Sequence, residues 1–204
     1  MMRWTLAAGM LAVATACANS APPSAEPTNS GGTPVAVDPT VSLACQPSDR
    51  MPLEGRASPY DSADVAVGGQ SLRVCYGRPR AQGREIFGGL VPYGRLWRTG
   101  ANEPTILHVP FAAEIAGVRV TPGSYSLYTV PGAEEWTIVL NPSTSQWGHE
   151  SSYTAEIEAR EIGRGTAPTE RLDQHVEQFT IRGDAGALLL EWERTRVRIP
   201  VRAL

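Results

Sequence analysis

Lysine is absent from this chain of 204 residues, and all 18 of its basic side chains are arginine. Coding composition explains such a bias across a whole sequence. Arginine also grips carboxylates and phosphates with a planar fork that lysine lacks, so clusters of arginine deserve the closer look. The formal net charge is -3, which gives nucleic acid or an anionic membrane surface no overall attraction to the chain. Histidine is scarce: His108, His149 and His175 lie far apart, and they form a metal site only if the fold gathers them with carboxylates. No metal and no cofactor is therefore expected. The patterns GxSxG, HExxH, GxxxxGK[ST] and CxxC are all missing, which removes the usual support for serine hydrolase, zinc peptidase, nucleotide-binding and dithiol redox readings.

Cysteine is nearly as scarce, with Cys17, Cys45 and Cys75. Residues 1–17 combine Arg3, an apolar run over 6–13 and the small residues Ala14 and Ala16 ahead of Cys17, the arrangement of a secretory leader. Cys17 sits where a bacterial lipobox places the thiol that receives lipid. The alternative is a plain cut after Ala16 that releases a soluble secreted protein. Lipidation leaves Cys45 and Cys75 as an even pair in an oxidising compartment, where one disulfide is expected. The expected location is a membrane-anchored lipoprotein facing the periplasm or the cell surface, with the membrane reached through the N-terminal lipid.

Residues 18–42 are Pro, Ser, Thr, Ala and Gly with almost no charge, which reads as a flexible linker. Residues 43–204 are expected to form one domain, since the length is ordinary for one and 42% of the chain is apolar. Short β-rich runs occur at 63–67, 71–76, 105–111 and 124–130, and again at 135–141, 172–181 and 188–192, separated by turn residues such as Ala116-Gly117 and Pro122-Gly123. That spacing predicts an all-β fold, an antiparallel β-sandwich or open barrel. One further strand is expected near 155–162. Apolar parity changes from even positions (Leu188, Leu190, Trp192) to odd ones (Val197, Ile199, Val201), so a turn or bulge is placed at 193–196. Arg196, Arg198 and Arg202 then face Glu191 and Glu193 across a hairpin.

The stretch YGRPRAQGREIFGGLVPYGRLWRTGANEPT, residues 76–105, stands apart. It holds Arg78, Arg80, Arg84, Arg95 and Arg98 against Glu85 and Glu103, with Gly and Pro that oppose regular structure and aromatics that oppose disorder. Long unstructured segments inside compact domains are commonly functional. The predicted ligand-binding residues are Arg78, Arg84, Trp97, Arg98, Asn102 and Glu103. Two roles compete for the polar group at its end. In one, Glu103 and His108 form an acid and base pair; in the other, Arg98 and Glu103 form an ion pair that pins the loop.

The same stretch, followed by VTPGSYSLYTVPGAEEWTIVLN and then QWG with Tyr153, resembles a bacterial exported domain known as domain of unknown function 2911. The resemblance is specific over residues 71–153 and looser to the C-terminus. It implies a secreted or lipid-anchored β-rich domain and no established reaction. After Tyr153 that family usually carries an Asp followed shortly by Arg, where EIEAR (156–160) stands here.

Three functions are consistent with these features. The first is an envelope protein binding a small anionic or carbohydrate-like ligand, or a partner protein. The second is a hydrolase or lyase using Glu103 and His108, with Arg98 stabilising negative charge. The third is a purely structural domain.

Overall fold

A computed structural model describes residue 1 and residues 35–204. The leader, Cys17 and the linker as far as residue 34 lie outside the described residues. Those described contain nine strands: β1 (Tyr60–Val67), β2 (Gln70–Gly77), β3 (Thr105–Val109), β4 (Ala113–Ile115), β5 (Val118–Val120), β6 (Gly123–Val130), β7 (Glu135–Asn141), β8 (Gly163–Gly183) and β9 (Ala187–Ala203). They form one antiparallel sheet in the order β1-β2-β3-β6-β7-β8-β9-β4-β5. No helix among the described residues is long and apolar enough to cross a membrane.

Alternation along each strand decides which side is buried. Leu72, Val74 and Tyr76 of β2, Leu107 and Val109 of β3, and Trp136, Ile138 and Leu140 of β7 point into one core. The sheet curls so that β8 meets the chain just after β2, where Arg80 bridges to Gln178. Ala81 N donates to Glu177 O at 2.8 Å and Phe179 N to Pro79 O at 2.9 Å. The Tyr76 hydroxyl spans the same join, donating to Ile181 O at 3.1 Å and accepting from Ile181 N at 2.9 Å. The result is a single open, curled antiparallel sheet, the all-β class expected of these strand signals for a sandwich or open barrel.

Three expectations are corrected. Residues 155–162 do not form a strand; Ala155–Glu158 is a single helical turn, α1. A side chain holds it there, since Asn141 Nδ2 donates to Ile157 O at 2.6 Å. The parity change falls at a bulge at Glu193 (φ 51°), within the expected 193–196, but it lies inside one continuous strand, β9, and not between two strands of a hairpin. Of the β9 arginines, Arg196 meets the expected Glu191 at 2.6 Å and also Glu170 at 3.5 Å, whereas Arg198 meets Asp184 and Arg202 meets Glu114 at 3.1 Å instead of Glu191 or Glu193. Finally, residues 35–42 are not free linker. Val37 bridges to Phe111, and Asp38 N donates to Pro110 O at 2.6 Å.

The disulfide Cys45–Cys75 is formed. It ties the segment before β1 to the outer side of β2, where Cys75 alternates with the core-facing Val74 and Tyr76. Residues 42–58 thus become a strap over the β2–β3 outer face.

Candidate functional site

The stretch between β2 and β3 is ordered by the core beneath it. Phe87 and Trp97 insert among Trp136, Phe179 and Trp192, with ring centroids 4.9–6.1 Å apart and Trp97 stacked on Trp192. Trp97 also extends the sheet by one rung: its N donates to Thr129 O at 2.7 Å and its O accepts from Thr129 N at 2.9 Å. The chain then folds back sharply through Thr99 (φ 57°) and Asn102 (φ 65°). Two glycines make the close crossing possible. A Cβ on Gly77 would sit 2.0 Å from Ala101 O, and one on Gly148 would sit 2.1 Å from Asn102 O.

A cavity of about 650 Å³ opens beside this crossing, within the range of small-molecule sites. Its polar lining is Arg84, Arg95, Arg98, Asn102 and Glu150, and its apolar lining includes Leu90, Val91, Pro92, Leu96, Trp97 and Trp192. Glu150 takes Arg98, whose Nη1 lies 3.0 Å from both carboxylate oxygens and whose backbone N donates at 3.3 Å. Arg98 Nε is buried without a partner. Arg84 is steadied by its own loop, with Nε donating to Ala81 O at 2.9 Å and Nη2 to Arg80 O at 2.6 Å. Among the described residues neither Arg84 nor Arg95 has a carboxylate partner. The cavity therefore keeps two uncompensated guanidinium groups in a protein that is acidic overall.

Four of the predicted residues, Arg84, Trp97, Arg98 and Asn102, meet at this cavity. Arg78 does not. It is a strut from β2 to its neighbours, bonded to Asp61 at 2.8 Å, Thr180 Oγ1 at 3.0 Å and Phe179 O at 3.2 Å. Glu103 does not either, and the expected Arg98–Glu103 pair is replaced by two others. Glu103 turns to the strap, where both oxygens meet Arg56 at 3.0 Å and Oε1 also accepts from Ser48 N at 2.9 Å. Local sequence gave no sign of these partners, because Arg56 and Glu150 come from segments on either side of the loop.

Glu103 and His108 line a second cavity, of about 480 Å³, beneath the strap. His108 Nδ1 lies 2.8 Å from Ser124 Oγ, and burial, helped by the charge of Arg73, lowers its pKa below the ordinary 6.5. Burial likewise pushes the Tyr60 hydroxyl up to about 12, with Glu103 adding to the effect. The two acid and base candidates thus share a cavity, but both Glu103 oxygens are committed to Arg56 and the Ser48 amide, which leaves that carboxylate poorly placed to exchange protons with a substrate. Among the described residues no three His, Cys, Asp or Glu side chains group as a metal site.

Glu150, Arg95, Leu90 and Trp192 complete the first cavity without having been singled out as ligand residues. Arg95 carried a signal, as a member of the arginine cluster. Glu150 and Trp192 carried none, since only the fold brings them to the loop. A family model described as a protein of unknown function, DUF2911, matches residues 58–201. Every residue lining the first cavity falls inside that span, whereas Cys45, Ser48 and Arg56 fall before it. No curated protein and no solved structure matches the chain.

Proposed function

The chain belongs to the DUF2911 family, and from that premise we propose that it is an exported binding protein that takes a small anionic ligand in the cavity beside Trp97. The observation that carries this reading is the pair of guanidinium groups, Arg84 and Arg95, that line a cavity and have no carboxylate partner among the described residues. A cluster of like charges in a concave site repels itself unless an anion completes it, and arginine suits carboxylate or phosphate. Hydrogen bonds and packing already hold the loop in shape, so little ordering cost opposes binding.

Export and lipid anchoring at Cys17 belong to the same proposal. The leader pattern supports them, as does a disulfide, which persists in oxidising compartments. Labelling with a palmitate analogue, lost in Cys17→Ser, tests the anchor.

Thermal unfolding of the purified chain with phosphate, citrate or acetate tests the site, because a ligand of the native state raises the midpoint. The expected result is an upward shift that falls away in Arg95→Ala. An anion shift unchanged in Arg95→Ala and in Arg84→Ala would remove this cavity as the site.

A further inference from the structure

The apolar side of the same cavity points to the kind of anion it takes. Arg84 and Arg95 flank a compact turn whose own bonds are local: Leu90 N donates to Glu85 O at 3.0 Å, Val91 N to Ile86 O at 2.8 Å, and Gly88 N to Val91 O at 2.9 Å. Ile86, Phe87 and Val91 are buried and anchor the turn. Leu90 is held between these anchors, yet it is 47% exposed. Pro92 is also exposed and Leu96 half-buried, and all three line the cavity with the two arginines. Such an arrangement leaves apolar surface in water at a fixed position, which is unfavourable without an apolar partner.

Charge narrows the class further. Glu150 already places one carboxylate on Arg98, so among the described residues the arginines lining the cavity without a carboxylate are Arg84 and Arg95. Glu150 lines the same cavity, so a second anionic group directed toward it would face a carboxylate.

Resting on the anion-binding reading above, we propose that the ligand is an amphipathic monoanion, a single carboxylate on an apolar body, with the carboxylate at Arg84 and Arg95 and the body against Leu90, Pro92 and Leu96. The two ends of one turn supply the charge and its tip supplies the apolar contact.

Titration calorimetry of the purified chain with acetate and with octanoate below its micelle concentration tests this. The expected result is octanoate binding at least tenfold tighter than acetate. Leu90→Ser should cut that ratio at least threefold, Arg95→Ala should weaken octanoate at least tenfold, and Ile162→Ser, an exposed apolar residue outside the cavity, should change neither. If acetate binds and octanoate binds no tighter, the anion reading stands and the amphipathic ligand is ruled out. Octanoate binding that is insensitive to both Leu90→Ser and Arg95→Ala would place it elsewhere and likewise overturn the proposal. No binding of any of these anions would remove both readings.

Discussion

Arg56 and Glu103 face each other through two parallel bonds of 3.0 Å, with side chains only 1% and 7% exposed. Arg56 also reaches the carbonyls of Pro52 and Met51, so this one pair fastens the strap to the end of the long loop. Removing one member leaves a buried charge alone, which typically costs about 3–5 kcal/mol. Arg56→Ala and Glu103→Ala should each lose roughly that much in urea unfolding, and the double variant Arg56→Met with Glu103→Leu should lose less than either single one. Single variants as stable as the wild type would show that the pair is not what holds the strap.

Arg98 and Glu150 behave differently because they are partly open to water, at 24% and 34% exposure. A pair of that kind is worth about 0–1 kcal/mol, so Arg98→Ala should leave stability nearly unchanged. Glu150→Gln should raise affinity for anions several-fold in calorimetry, since it frees Arg98 and removes a competing carboxylate. Weaker anion binding in Glu150→Gln would mean that Glu150 orients the site rather than competing for it.

Strands were legible in this sequence because alternation and turn pairs such as Ala116-Gly117 and Pro122-Gly123 are local signals. The single turn of α1 was not, since AEIEAR alternates apolar and polar residues as a strand would, and four residues are too few to display a helical period. The arginine cluster marked the loop that borders the first cavity. It could not say which arginine is neutralised, because Asp61, Glu150 and the strap arrive from elsewhere in the chain. Sequence proximity suggested Arg98 with Glu103, whereas the backbone reversal at Thr99 and Asn102 sends the two side chains to different sides of the crossing.

His108 gives stability a pH dependence. Its folded pKa is below the ordinary 6.5 because burial and the neighbouring Arg73 disfavour the charged ring. As pH falls through 6.5 the unfolded chain takes up this proton before the folded one does, so stability declines across the window down to the folded pKa. His108→Gln should flatten that part of the curve. A wild-type profile that matches the variant throughout the window would contradict the lowered pKa.

The Cys45–Cys75 bridge closes a loop with a sequence separation of 30, for which chain entropy gives about 3–4 kcal/mol. Cys45→Ala with Cys75→Ala should lose that amount and should speed hydrogen exchange at the Ser48 amide, which bonds Glu103 beneath the strap. Loss of stability with unchanged exchange at Ser48 would show that Arg56 alone secures the segment.

Gly148 sets the shape of the first cavity from below. Its missing Cβ would lie 2.1 Å from Asn102 O, 2.6 Å from Glu103 C and 2.8 Å from Arg98 Cδ. Two of those three atoms are backbone, so no rotamer change relieves the clash and the crossing must lift. Lifting it pulls Arg98 from Glu150 and Glu103 from Arg56 together, since all four depend on the same few residues. Gly148→Ala should therefore lose about 1–3 kcal/mol, as overpacked sites do, and should also weaken anion binding. Ile138→Val, a core change in β7 costing about 0.5–1.5 kcal/mol, should lower stability without altering affinity. If Gly148→Ala shifts stability alone, the arginines hold their places without the crossing, and the site is set by the turn between Arg84 and Arg95.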